Sequence, residues 1–146
     1  MTSAPAIVRL ADIADAAALA TLSAQLGYPA DAETIKKRLI GLQQNPEHAV
    51  FVAESDATLV GWLHVFLRQL LESELMAEVG GLVVDERARG AGVGRSLMAR
   101  AEQWARDHGC AAVTLRTNVV RKDAHAFYEK LGYANVKTQH TYRKRL

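Results

Sequence analysis

Residues 87–98 read RARGAGVGRSLM, and this stretch decides the fold because three glycines stand where a helix is beginning. Glycine in a helix interior costs about 1 kcal/mol relative to alanine. We therefore expect Gly90, Gly92 and Gly94 to allow something to approach the backbone too closely for side chains. The apolar run before them, EVGGLVVDE at residues 78–86, predicts a strand that leads into this turn.

A strand, a glycine-rich turn and a helix start together favour phosphate binding. The first amides of a helix have no intrahelical acceptor, and the helix dipole places positive charge there. A tight helix–strand crossing without a ligand is one alternative. A P-loop is poorly supported because Arg95 follows the last glycine where that motif has lysine. A dinucleotide-binding turn is also poorly supported, since its glycines have a different spacing.

The composition places the chain among ordinary globular proteins. The 146 residues fit one domain, 1–146, with 49% hydrophobic and 23% charged residues. A net charge of +2 gives no reason to expect nucleic acid or a membrane surface as a partner. Cys110 is the only cysteine, so an intrachain disulfide and a cysteine metal cluster are excluded, and we predict no metal site. Without a signal-peptide pattern, we expect a cytoplasmic location.

Hydrophobic periodicity predicts alternating strands and helices around the glycine turn. The order βααβββαβαβ, with one or two strands in residues 134–146, indicates an α/β domain with a mixed sheet. The turn at residues 85–94 lies inside a βαβ unit. Strands are predicted at 6–11, 49–54, 58–67, 75–84 and 111–117, and helices at 12–25, 32–45, 93–108 and 123–131.

Two separated motifs carry a resemblance to a known family. The pattern R-x-x-G-x-G at residues 89–94 follows GLVVDERA at 81–88, and AHAFYEKLGY follows at 124–133. In this order and at this distance they resemble the GNAT superfamily of N-acetyltransferases. The resemblance implies a single-domain GNAT-like fold: a mixed, mostly antiparallel central sheet, a βαβ acetyl-CoA-binding core and flanking helices. It also implies an enzyme that uses acetyl-CoA as co-substrate and acetylates an amine.

The resemblance further implies two sets of contacts with acetyl-CoA. The backbone of Leu82, Val83 and Val84 would pair with the pantetheine arm, as an added strand pairs with a sheet edge. A bulge at Gly80 and Gly81 would separate this strand from the next. The pyrophosphate would lie against the backbone amides of the turn, with the Ser96 hydroxyl beside it. These turn residues are Arg89, Gly90, Ala91, Gly92, Val93, Gly94 and Arg95.

One position departs from the pattern of the family. Many members have asparagine seven residues before the motif tyrosine, where this chain has Arg121, and Asn118 lies three residues earlier. Either Asn118 reaches the cofactor from the strand end, or Arg121 contacts a coenzyme phosphate.

Acetyl transfer to an amine requires a proton acceptor and benefits from a proton donor to the leaving thiolate. By the resemblance, Tyr128 is the acid, since tyrosine is protonated at neutral pH. Its alternative role is that of a core aromatic. Glu78 is the candidate base, and its alternative is a solvated or salt-bridged strand residue. Glu72 and Glu74 would border the acceptor site, while His64 and His125 are interpreted as packing or surface residues.

Two functions from different classes remain open at this stage. The first is an N-acetyltransferase acting on a primary amine of a small molecule or a protein. The second is a non-catalytic module of the same fold that binds or senses a CoA compound. The tail TYRKRL at 141–146 and the acidic loop look loosely similar to aminoglycoside N-acetyltransferase-like members. A homodimer is also expected by resemblance.

Overall fold

The computed structural model describes residues 5–117 and 120–146, which contain five strands and four α-helices. The strands are β1 Ile7–Leu10, β2 His48–Ser55, β3 Thr58–Arg68, β4 Met76–Val84 and β5 Ala112–Leu115. The helices are α1 Ala16–Gln25, α2 Ala32–Gln43, α3 Val93–Asp107 and α4 Lys122–Lys130. The predicted order is confirmed as far as α4. Within the described ranges no helix is both long and apolar enough to cross a membrane.

The chain divides into two compact units, one ending at Leu115 and the other beginning at Arg116. The first unit holds the five strands with α1, α2 and α3, and the second holds α4 and the tail. The prediction of strands in residues 134–146 is wrong, because this segment contains no strand. Its side chains, Val136 and Tyr142 among them, are exposed, so the segment has no buried face of the kind that defines strand register. The single domain 1–146 stays a prediction.

The sheet follows the order of the chain, β1-β2-β3-β4-β5. The first three pairings are antiparallel and β4 pairs with β5 in parallel, which confirms the mixed, mostly antiparallel sheet. A two-residue turn joins β2 to β3 and places both Asp56 and Ala57 at positive φ. This is the geometry that matches the twist of a hairpin.

Alternation along the strands separates two apolar layers. On one face of β3, Leu63 and Val65 are fully buried, as are Leu97 and Met98 of α3, which packs against β3 and β4. On the other face, Val52 of β2 and Trp62 of β3 pack in a cluster with residues of α1 and α2, including Leu19 and Leu39. The sheet therefore lies between α3 on one side and the α1–α2 pair on the other.

The helix starts follow from short acidic side chains. Asp12 accepts the Ala14 amide at 2.9 Å and forms a capping box with Asp15, which begins a 3-10 turn that leads into α1. Asp31 accepts the Thr34 amide at 2.7 Å at the start of α2, and this hydrogen bond lowers the pKa of Asp31. Both caps lie where the predicted helices 12–25 and 32–45 begin.

Strand β4 has two irregularities, a bulge and an edge that is only partly paired. Val79 pairs with Val65 and Gly81 pairs with His64, so Gly80 is an extra residue, which confirms the predicted bulge. The described ladder between β4 and β5 runs only from Met76 to Val79. Past the bulge, β4 keeps its bonds to β3, and its other edge has no described pairing with β5, which ends at Leu115.

Candidate functional site

The turn between β4 and α3 is built around two glycines in the left-handed region. Gly90 has a φ of 85° and Gly92 a φ of 81°, which side chains rarely tolerate, and the position where either Cβ would stand is open. Gly92 is the N-cap of α3 and offers no side-chain cap. The glycines therefore make a turn whose outer surface is bare backbone.

The start of α3 presents amides without acceptors in the described part of the chain. The first intrahelical bond is donated by the Ser96 amide to the Gly92 carbonyl at 3.0 Å, so the amides of Val93, Gly94 and Arg95 precede it. Arg95 is exposed and forms no ion pair with a described residue. The bare turn, the amides and this cation fit the diphosphate of a nucleotide coenzyme.

Asp85 stabilises the turn through hydrogen bonds of its side chain and its backbone. Its carboxylate accepts the Arg87 amide at 3.0 Å, its carbonyl accepts the Ala88 amide at 2.9 Å, and its own amide binds the Val60 carbonyl at 2.8 Å. The hydrogen bond from the Arg87 amide lowers the pKa of Asp85 and keeps it ionised. The turn is therefore anchored to β3 without using the amides at the start of α3.

The residues predicted to contact the pantetheine arm lie on the unpaired part of β4. Leu82, Val83 and Val84 pair with Leu63, Trp62 and Gly61 of β3 through one edge. Their other edge lies beyond the last described pair between β4 and β5, Val79 with Leu115. A segment of extended ligand with amide groups fits such an edge, since a strand edge offers alternating donors and acceptors.

Glu78 is the predicted base, and it lies on β4 two residues before the bulge. It is 7% exposed, pairs with Phe66 across the sheet, and its Oε1 lies 3.7 Å from Nε of Arg68. This carboxylate is buried beside a cation, which fits the salt-bridged alternative as well as a role in proton transfer. Its register places it on the sheet face that carries His64 and Trp62.

That same face forms the wall of a cavity of about 390 Å³ beneath α1 and α2. The Gly80–Gly81 bulge belongs to its lining, and a Cβ on Gly81 would come within 2.8 Å of the Trp62 ring. Most lining side chains are apolar, and the charged or titratable ones are Tyr28, Arg38 and His64. The full lining is Leu19, Ser23, Leu26, Tyr28, Ile35, Arg38, Leu39, Leu42, Val50, Trp62, His64, Gly80 and Gly81.

Two histidines on neighbouring strands are hydrogen-bonded at this wall. His48 Nδ1 lies 2.9 Å from His64 Nε2, and Phe66 stacks on His48 with ring centroids 5.4 Å apart. Burial, together with the neighbouring His48, lowers the pKa of His64 to about 4. His64 is therefore neutral at neutral pH. A Cβ on Gly80 would come 3.2 Å from its Nδ1, so that nitrogen faces the bulge.

The low pKa of His64 predicts that the fold loses stability in mild acid. The unfolded chain binds a proton near pH 6.5 and the folded chain near pH 4, so the free energy of unfolding falls as the pH drops through this window. We expect the loss to be on the order of 1–3 kcal/mol in urea titrations. His64→Gln should flatten this dependence and His140→Gln, a change in the exposed tail, should not. Equal pH dependence in all three proteins would contradict the prediction.

Sequence reasoning missed several residues that the structure brings to the cavity. Tyr28, Arg38 and Trp62 line the cavity and belong to no sequence motif. Nε1 of Trp62 is buried and has no hydrogen-bond acceptor among the described residues, a cost that native cores rarely carry. The register of β2 against β3 places Val50 opposite His64, and Tyr28 and Arg38 join the lining from the segment that contains α2. Local patterns do not reveal such a register.

The second unit carries the predicted acid. Tyr128 lies on α4, half-buried, with its ring centroid 5.1 Å from that of Phe127 and 6.1 Å from that of Tyr133. Burial raises the pKa of Tyr128, and the charge of Arg121 offsets part of this shift. Arg121 is exposed at the N-cap of α4. Asn118, the alternative cofactor contact, lies outside the described residues.

The chain belongs to the acetyltransferase (GNAT) family, whose model matches residues 15–133. It is 36% identical over 138 residues to aminoglycoside N(6')-acetyltransferase type 1 of Stenotrophomonas maltophilia, covering 91% of this chain and 88% of that protein. It is 29% identical over 125 residues to the protein of the same name from Serratia marcescens, covering 82% and 84% of the two chains.

Solved structures share the fold at lower identity. AAC(6')-Iy in complex with the bisubstrate analogue CoA-S-monomethyl-acetylneamine superposes with a TM-score of 0.88 at 20% identity, covering 98% of this chain and 100% of that chain. Glucosamine-6-phosphate N-acetyltransferase from Arabidopsis thaliana superposes with a TM-score of 0.85 at 21% identity, covering 96% and 99%. The expected GNAT fold is confirmed, and the protein is an N-acetyltransferase of the family that uses acetyl-CoA.

Proposed function

We propose that the protein transfers the acetyl group of acetyl-CoA to a primary amine of a small molecule bound in the cavity beneath α1 and α2. One observation carries this proposal. The Gly80–Gly81 bulge both lines the cavity and begins the unpaired edge of β4. A donor along that edge and an acceptor in the cavity would therefore meet at the bulge. Bringing the two reactants together in a fixed geometry removes much of the entropic barrier to reaction.

Acetyl-CoA, the donor, would contact the start of α3 and the unpaired edge of β4. The amides of Val93, Gly94 and Arg95 would hold the diphosphate, and the β4 edge from Leu82 to Val84 would align the pantetheine arm. Acetyl-CoA supplies an activated thioester when bound. The protein would contribute orientation, and amides of β4 near the bulge would stabilise the oxyanion.

The acceptor amine reaches the reaction as an ammonium ion and must lose a proton before it attacks. Glu78 remains our proposal for the proton acceptor, directly or through water, because it lies on the cavity face of β4 near the bulge.

Glu78→Gln is expected to lower kcat/KM by about 100-fold, the scale of a lost general base, with acetyl-CoA affinity nearly unchanged. The control is Arg68→Gln, which breaks the same ion pair but keeps the carboxylate. Both variants should lose some stability, because each removes one partner of an ion pair whose carboxylate is buried. Steady-state kinetics with both substrates varied make the measurement. Equal activity of the two variants would assign Glu78 to structure and leave solvent or another carboxylate as the proton acceptor.

The proposed activity is tested by measuring free thiol released from acetyl-CoA with a panel of primary amines. Amine-dependent release with a mass gain of one acetyl group on the amine supports the proposal. Tight acetyl-CoA binding without release for any amine would instead favour a CoA-binding or sensing module. The names of the two relatives make aminoglycosides one class to include in the panel. A cytoplasmic location and a homodimer stay predictions.

A further inference from the structure

The charge inside the cavity is one-sided. In the described part of the chain its lining includes Arg38 and no aspartate or glutamate. Arg38 forms no ion pair with a described residue, and Lys37 adjoins it on α2. Glu78, on the same sheet face, is paired with Arg68 and is not among the lining residues. Arg38 is exposed, so its charge lies at the solvent-facing part of an otherwise mostly apolar lining and has no described carboxylate to neutralise it.

The other side chains of the cavity do not compensate this charge. His64 is neutral at neutral pH because burial lowers its pKa to about 4. Leu19, Leu39 and Trp62 provide apolar and aromatic surface. A cavity of about 390 Å³ lies within the usual size range for sites that bind small molecules. Such a site accepts an apolar body and one negative charge, and a ligand with several positive charges would meet repulsion at Arg38.

We propose that the acceptor is a primary amine whose apolar body carries an anionic group, a carboxylate or a phosphonate, that pairs with Arg38. This inference rests on the proposed function, because it assumes that the cavity holds the acceptor. The amine would lie at the Gly80–Gly81 bulge and the anion at the wall formed by α2. Arginine suits this role because its planar fork binds both carboxylate and phosphonate oxygens in bidentate geometry. Polycationic amines are then poor acceptors.

The test uses probes that share one aromatic body. They are 4-(aminomethyl)benzoate, 4-(aminomethyl)phenylphosphonate, benzylamine and 1,4-bis(aminomethyl)benzene, with kanamycin A as a polycationic comparison. We expect kcat/KM for the better anionic probe to exceed that for benzylamine by about 10-fold or more, mainly through KM, and the diamine to be poorer still. The benzoate and phosphonate arms decide which anion the site prefers.

Substitutions of Arg38 test whether the preference for anionic probes depends on the charge of this residue. Arg38→Gln should bring the anionic probe and benzylamine to similar kcat/KM, and Arg38→Glu should make the diamine the best probe. Lys37→Gln removes a neighbouring exposed cation that does not line the cavity and should preserve the wild-type order. A wild-type enzyme that prefers the diamine or kanamycin A, or an order unchanged in Arg38→Gln, overturns the inference and leaves the proposed activity standing.

A binding measurement tests the proposed class of acceptor without requiring acetyl transfer. Calorimetry titrates 4-(aminomethyl)benzoate into the enzyme with CoA present, for the wild type and Arg38→Gln. If no amine in the panel is acetylated, the proposed function fails. In that case, binding that is about 10-fold weaker in Arg38→Gln still supports the ligand class, and the absence of binding overturns it.

Discussion

Gly92→Asp is expected to weaken acetyl-CoA binding on the order of 1000-fold. Gly92 is the N-cap of α3, and the amides that would hold the diphosphate follow it directly. Two unit charges 5 Å apart repel by about 3 kcal/mol at an effective dielectric constant of 20, and a diphosphate carries more than one charge. The new side chain would also occupy the open space outside the turn. Isothermal titration calorimetry with acetyl-CoA measures the change.

The same substitution should leave the fold nearly as stable. Aspartate is among the residues that best tolerate the left-handed region, and its charge suits a helix N-terminus, which limits the strain of a side chain at a φ of 81°. Gly109→Asp is the matched control, since Gly109 follows α3 with a φ of 75° and open space around it. Gly109→Asp adds the same charge and similar strain at the other end of the helix. This variant should therefore retain its affinity for acetyl-CoA. Unchanged affinity in folded Gly92→Asp would contradict the diphosphate role of the turn.

Most of the fold could be predicted because its signals are local. The caps at Asp12 and Asp31, the alternation in β2 and β3, and the glycines that end helices each act within a few residues. The bulge at Gly80 could be placed because two adjacent glycines interrupt an apolar strand. The tail could not, because strand formation depends on a neighbouring edge, and residues 134–146 contain no property that reveals whether one is available.

The turn proposed to bind the donor could be predicted from the sequence, and the cavity proposed to bind the acceptor could not. The turn from Arg89 to Arg95 is one continuous segment, so its motif is visible in the chain. The cavity joins α1, α2, β2, β3 and β4, and its composition depends on strand register and helix rotation. Arg38 illustrates the difference. It lies three residues after Ile35 and four before Leu42, beside the apolar stripe of α2, but the cavity that it lines forms only when α2 packs against the sheet.

Tyr128→Phe is expected to lower kcat by about 10- to 1000-fold if Tyr128 donates a proton to the departing thiolate. A thiol has a pKa near 8.5 in water, so its thiolate can leave there without a proton donor. Where little water is present, the charged thiolate is less stable and is a poorer leaving group. Burial raises the pKa of Tyr128, which keeps its hydroxyl protonated and able to donate. The substitution removes only this hydroxyl and keeps the ring that contacts Phe127 and Tyr133. Steady-state kinetics with saturating acetyl-CoA measure kcat.

A second pair of measurements separates the acid from a packing role. Tyr128→Phe should change the melting temperature little, since the ring still packs, and Tyr133→Phe, a hydroxyl deletion on the neighbouring ring, should keep near wild-type kcat. If Tyr128 only packs, Tyr128→Phe remains active and Tyr128→Ala loses up to about 3–5 kcal/mol of stability, as for a buried aromatic residue. Because the acid role depends on the hydroxyl and the packing role on the ring, a fully active and stable Tyr128→Phe enzyme would refute the assignment of Tyr128 as the acid.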